Sequence, residues 1–372
     1  MGVMRTTRGT WVGAALLALL VAACDGGGDT TASGGSGGTT GSAGGGGAGG
    51  GAAPSCEGQP EKLDVAGTWA AYGALTATIT GQAGSLVSIC PADQEGQAFM
   101  MLVVTIGQDQ TTLKDVKAVL CSVELPAVTA IAGKCEPGTE AAVTTQISAP
   151  KALSDALPGL SPAPVGGTLS GEAPGSEIAL ERFTVTAGSS KTGADLPIWD
   201  TDAAGCDAGD VGHSNQCEAA CVSDCAALRD DDGDTYPGIT LDVCGRSQDD
   251  EGKPCNTEDP AEPGVTIQGR AFAALEVDPQ FTGIAKSSCE LAGNVSTGVR
   301  YTVVGADITL TGGQIAVGAA IDALPTLEVL TGQSKLTMVR VDGKYGTPDL
   351  GLGALDALAA CELVIEKKNE LF

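Results

Sequence analysis

Short runs of alternating apolar and polar residues recur along most of this chain, and they restrict what it can fold into. Residues 75–80, 99–106, 141–147 and 177–186 alternate in this way between breaks at Gly, Pro and Asp. A period of two sends successive side chains to opposite faces of a strand, and the Val, Ile and Thr that fill these runs fit a pleated surface better than a helix. The same texture returns at 265–277, 298–304, 307–310 and 335–341, with no long helical pattern between the runs. The expected fold is therefore mainly β, an antiparallel sandwich or barrel. The tail departs from this, because Leu352, Leu355, Leu358, Ala359 and Cys361 fall on one helical face. They predict a short C-terminal helix that covers a sheet edge or a barrel mouth.

The N-terminus has a different grammar. Arg5 and Arg8 precede an apolar run from Trp11 to Val21, which is too short to span a bilayer comfortably, and Leu20-Val21-Ala22-Ala23-Cys24 follows. This arrangement resembles a bacterial lipoprotein precursor, whose lipobox ends in a cysteine that is lipidated and becomes the first mature residue. The resemblance implies that Cys24 carries the acyl groups and that the chain is exported and held to the cell envelope, at the inner or the outer membrane. Residues 25–55 are nearly all Gly, Ser, Thr and Ala, a composition that cannot bury enough apolar surface to offset its ordering entropy. A tether of about 30 such residues spans roughly 30 Å.

With Cys24 assigned to lipid, twelve of the 13 cysteines remain. An even number in an exported chain reads as up to six disulfides. Order alone leaves their connectivity open, although Cys121 with Cys135 and Cys244 with Cys255 are near enough to close short loops. The chain divides into a signal peptide (1–23), the lipidated cysteine and Gly/Ser-rich tether (24–55), a first β-rich region (56–194), an acidic Cys-rich insertion (195–262), and a second β-rich region with the terminal helix (263–372).

The chain carries 46 Asp+Glu against 20 Lys+Arg, a formal net charge of -26. Such a field repels nucleic acid and anionic surfaces, so the expected contact with a membrane is the lipid on Cys24, and the remaining partner is a protein or a small molecule.

Within the insertion, Asp230, Asp232 and Asp234 stand at positions 1, 3 and 5 of a turn containing Gly233. That spacing converges oxygens on one point. Calcium takes six to eight oxygen ligands, and the carbonyl of Tyr236, at position 7, would add a fourth. Position 12 of an EF-hand is a bidentate Glu, but here it is Leu241; Asp242, one place later, is the candidate for a further carboxylate. The segment resembles the D-x-D-G-D-G calcium loops of thrombospondin type 3 and dockerin-like repeats, with Thr235 in place of their second glycine. Upstream, Cys217, Cys221 and Cys225 would share one face of a helix over 214–228. With His213 nearby they offer zinc a ligand set, while an oxidising compartment favours disulfides and a pinned helix that presents the acidic turn.

Gly67-Thr68-Trp69, at the head of the first strand region, resembles the Gly-x-Trp signature of lipocalin-type barrels. The resemblance implies that Trp69 plugs a closed barrel end and that an apolar cavity holds a small ligand. Taken whole, the lipobox, the leash and the β-rich body interrupted by a Cys-rich acidic segment resemble the lipoproteins of high-GC, myxobacterium-like genomes, a likeness that implies location and architecture and brings no activity. His213 is the single histidine, and no G-x-S-x-G, H-E-x-x-H or P-loop pattern occurs. The expected role is a non-catalytic binding or structural module of the envelope, stabilised by calcium and disulfides. The alternatives are a lipocalin-like carrier and a hydrolase working through clustered carboxylates.

Overall fold

The computed structural model describes residues 56–372 except 81–86, 90–92, 125–127, 133–141, 208, 210–215, 248–264, 311 and 323–325. The expected lipobox with Cys24, the expected tether, His213, Cys90, Cys135 and Cys255 lie outside the described residues.

Following the chain reveals a simple plan. Strand β1 (Gly67–Thr80) is followed by the short β2 (Val87–Ile89), then β3 (Asp93–Asp109) and β4 (Thr112–Glu124) form a hairpin. Next come β5 (Val128–Ala132), β6 (Ala142–Ser148) and helix α1 (Lys151–Ala156), then a second hairpin of β7 (Val165–Leu169) and β8 (Ser176–Leu180). After β9 (Val185–Ala187), β10 (Ile239–Ser247) and β11 (Val265–Val277), a third hairpin joins β12 (Gln280–Ala285) to β13 (Glu290–Ser296). Then β14 (Val299–Leu310), β15 (Gly313–Gln314), α2 (Val317–Asp322) and β16 (Thr326–Val329) precede β17 (Lys335–Arg340), and α3 (Ala357–Glu366) and α4 (Lys368–Leu371) end the chain.

Strands β1, β3, β4, β7, β8, β12, β13 and β17 pair in that order, all antiparallel, and β17 pairs back onto β1. The result is a closed, up-and-down, eight-stranded barrel, so of the two expected β architectures the barrel is the one adopted. Strands from both β-rich regions contribute to it. Successive connections in such a barrel fall at alternate ends. The three short connections are therefore at one end, and every connection at the other end carries an insertion. These insertions assemble into a second antiparallel sheet, ordered β15-β14-β11-β10-β6-β5-β2 with β9 on β11. The inner face of this sheet, including Ile239, Leu241 and Ala273, shares one continuous core with the barrel interior, including Leu75, Met100 and Leu336. The second sheet is thus a lid over the barrel mouth.

Period two explains the barrel wall. Along β1, Trp69, Ala71, Leu75, Ala77 and Ile79 face the interior core, while Ala70 joins a separate cluster with Val339, Val341, Leu352, Ala360, Cys361 and Val364. That second cluster is where α3 packs, on the outside of the barrel rather than over its mouth. Helix α3 also begins later than the apolar spacing suggests. Residues 352–354 form a 3-10 turn, and Asp356 caps the helix by accepting a hydrogen bond from Ala359 N at 2.9 Å. Leu355 and Leu358 are consequently left exposed.

Three alternating runs are also cut differently from their appearance. Residues 177–186 split at a corner between β8 in the barrel and β9 in the lid, whereas 299–310 form one unbroken strand.

Four disulfides are described: Cys56–Cys289, Cys121–Cys361, Cys206–Cys221 and Cys217–Cys225. The short Cys121–Cys135 loop suggested by sequence proximity is not formed, because Cys121 on β4 reaches α3 instead. Cys244 is disulfide-bonded as well. Over the described residues 216–228, the expected helix is replaced by turns and a 3-10 turn at Cys225–Ala227. A straight helix would hold residues eight apart at about 12 Å, yet the Cα atoms of Cys217 and Cys225 are 5.7 Å apart, so bonding them requires the chain to fold back. With Cys217, Cys221 and Cys225 all in disulfides, no thiolate among them remains for zinc.

Candidate functional site

At the short-connection end, the barrel is stoppered. Trp69 is fully buried and its indole Nε1 donates to Val65 O at 3.0 Å. Across the β1–β17 pairing, Trp69 stands opposite Arg340, whose guanidinium carbon lies 4.8 Å from the indole centroid. Arg340 is also fully buried. It donates from Nε to Ser288 O at 2.6 Å, from Nη1 to Ala66 O at 2.9 Å and Asp342 Oδ2 at 3.0 Å, and from Nη2 to Asp64 O. The cation is thereby solvated by protein, which a buried charge requires. Gly67 is needed here because a Cβ at that position would run into Asp342 Oδ2 and Arg340 Nη1.

Asp64 completes the stopper. Its Oδ2 accepts from the Tyr345 hydroxyl at 2.6 Å and from Lys344 Nζ at 3.3 Å. Burial works against its ionised form, but the Tyr345 hydrogen bond and the Lys344 and Arg340 charges outweigh it and hold the carboxyl below its ordinary 3.8. The Cys56–Cys289 disulfide ties the entering segment to the turn between β12 and β13.

The mouth end holds a chamber of about 130 Å³. Its walls are Leu75, Met100, Leu102 and Leu120 from the barrel, Ile239, Leu241 and Leu275 from the lid, and Leu153 and Leu157 from α1 and the turn after it. None of the lining residues is a carboxylate, and the surface is almost wholly apolar. An apolar cavity of about 150 Å³ stays dry and takes a molecule the size of benzene. Leu75, Met100, Leu102 and Leu275 fall in alternating runs of the sequence, whereas Leu120, Leu153 and Leu157 fall in none, and the shape of a void depends on which strands face one another across the lid.

The acidic turn sits on the edge of the lid. One carboxylate oxygen from each of Asp230, Asp232 and Asp234 lies within 4.8 Å of the other two. Asp230 organises the turn, accepting from Asp234 N and Thr235 N at 3.0 Å each, while Asp234 Oδ1 accepts from Tyr236 N at 2.9 Å. Asp232 is only 9% exposed; its Oδ2 accepts from Thr240 N at 2.7 Å, and its Oδ1 has no hydrogen-bond partner. Burial, with the neighbouring Asp234 charge adding to it, pushes the Asp232 carboxyl up to about 6.

A buried carboxylate with one oxygen unpartnered, grouped with two further carboxylates, fits a hard cation with oxygen ligands. Thr235 adopts φ +75°, the left-handed conformation for which a glycine is better suited. Of the other two candidate ligands, Tyr236 has its ring stacked on Phe272, with centroids 4.5 Å apart. Asp242 lies on β10 beside Arg270, with Nε to Oδ1 at 3.5 Å, and is not brought into the three-carboxylate group.

No protein-family model matches the chain, and no curated protein matches it in sequence.

Proposed function

We propose that this chain is an exported, lipid-anchored and non-catalytic binding protein, whose barrel holds a small apolar ligand beneath a lid braced by calcium. The apolar chamber between barrel and lid carries this reading. A closed barrel stoppered at one end by Trp69 and Arg340 and lidded at the other leaves a space that water gains little by entering. Its volume of about 130 Å³ lies below the roughly 300 Å³ at which drug-sized sites begin, so the occupant is a compact hydrocarbon-like group. The orphaned Asp232 oxygen supports calcium at the acidic turn. Disulfides, together with the lipobox ending in Cys24, support an oxidising, extracytoplasmic location.

Calorimetric titration with benzene tests the binding reading. Saturable, one-to-one uptake that Ala118→Leu removes is the expected result, because Ala118 lines the chamber and the added carbons occupy it. Absence of uptake by the unsubstituted protein refutes the reading. The anchor is tested separately by palmitate labelling, which is expected to be lost in Cys24→Ser.

A further inference from the structure

The acidic turn does more than decorate the lid: it holds together three of the strands that wall the chamber. Asp232 Oδ2 accepts from Thr240 N at 2.7 Å, and the residues on either side of Thr240, Ile239 and Leu241, line the chamber. Asp231 Oδ2 accepts from Gly188 N at 2.7 Å, and Gly188 follows Ala187, another lining residue. Arg229 closes the same junction, donating from its backbone N to Gly188 O at 3.1 Å. Tyr236 stacks on Phe272 with the two rings inclined by 6°, and Ala273, next along β11, also lines the chamber. Strands β9, β10 and β11 are therefore each gripped, one residue away from the cavity, by consecutive parts of one turn.

The seam has little slack. Gly238, at φ +91°, passes so close to β11 that a Cβ would come within 2.5 Å of Ala273 O. Strands β9, β10 and β11 cannot part from one another along this edge while the Thr240, Gly188 and Phe272 contacts all persist. These contacts come from the same turn that brings Asp230, Asp232 and Asp234 together, with Asp232 buried and one of its oxygens unpartnered. Without a cation the three carboxylates repel one another across the turn; with one they are drawn together in the arrangement that grips the strands.

We propose that a divalent cation at Asp230, Asp232 and Asp234 latches these three lid strands to one another, so that cation and apolar ligand bind with positive linkage. This rests on the binding function proposed above and adds its regulation. Both ligands favour the latched arrangement of these strands, and linkage requires each to raise the affinity of the other by the same factor. The cation slows escape of the ligand by keeping β9, β10 and β11 in register over the mouth.

The test is a pair of titrations on the full protein. Benzene is titrated in saturating calcium chloride and in EDTA, and calcium is titrated with and without saturating benzene. The expected result is benzene affinity raised in calcium by about 5- to 150-fold, the usual range of coupling between sites, with calcium affinity raised equally by benzene. Asp234→Asn leaves the Asp232–Thr240 contact in place while weakening the cation site, and is expected to abolish the calcium effect and retain the weaker benzene binding. Equal benzene affinities in calcium and EDTA, with both ligands bound, overturn the latch and leave the binding function standing. Failure to bind benzene under either condition overturns the function and the latch together.

Discussion

Arg340 and Trp69 face each other across the β1–β17 pairing, with the guanidinium carbon 4.8 Å from the indole centroid and both side chains fully buried. The pair converts one end of an open tube into a stopper. The stacked cation contributes about 2 kcal/mol when desolvated in this way, and its hydrogen bonds to three backbone carbonyls stitch the entering segment to the last strand. Arg340→Met keeps much of the volume but orphans those carbonyls and leaves Asp342 without its buried partner. The expected loss is about 3–5 kcal/mol, read as a lower urea midpoint at unchanged slope.

Acid sensitivity of the same end follows from Asp64. Its folded carboxyl is held below 3.8, burial being outweighed by Tyr345, Lys344 and Arg340. The resulting stability is present above the ordinary carboxylate range and lost as pH falls through the lowered folded value. Asp64→Asn should therefore reduce stability at neutral pH and flatten its decline in acid, as followed by melting temperature against pH.

Asp232 has the opposite sign in metal-free protein. Its folded carboxyl is raised to about 6 by burial and by Asp234. The stability this contributes is fully present below about 3.8, the ordinary value, and is lost as pH rises to about 6. In EDTA, Asp232→Asn is expected to raise the melting temperature at neutral pH, since it removes an unpaired buried charge. In calcium the same substitution is expected to lower it. A substitution that acts in one direction under both conditions would separate the raised carboxyl from cation binding.

The Cys121–Cys361 disulfide closes a loop of 240 residues between β4 and α3. Paired substitution of both cysteines by serine should cost about 2–5 kcal/mol. Because α3 packs outside the barrel, hydrogen exchange is expected to rise in α3 and α4 before it rises in β1. Uniform loss of protection would mean that the helix is part of the barrel's cooperative unit.

Much of the strand content was legible in the sequence, because alternation is a local property: 99–106 and 335–341 fall within or across β3 and β17. Closure was not, because it depends on pairings between distant segments such as β1 with β17. The corner at residues 181–184, which sends β8 to the barrel and β9 to the lid, has no local mark distinguishing it from a continuing strand. Gly67-Thr68-Trp69 pointed to the stopper, yet Arg340 reads as an ordinary solvated cation until the carbonyls of Asp64, Ala66 and Ser288 are placed around it. At the acidic turn, the 1, 3, 5 spacing identified Asp230, Asp232 and Asp234. The burial of Asp232 could not be read from it, since Thr240 supplies the contact that draws the side chain inward. Cysteine order left the pairing of Cys121 open; Cys135, 14 positions away, was near enough for a short loop, and a partner 240 positions away is used.

The most direct test of the central claim, that the barrel encloses a binding chamber, is a crystal structure of the calcium-loaded protein soaked with benzene. The account predicts density for one molecule between Met100, Leu102 and Leu120 of the barrel and Leu241 and Leu275 of the lid, absent from Ala118→Leu crystals. A chamber that remains empty at saturating benzene, or is filled by well-ordered water, would contradict it.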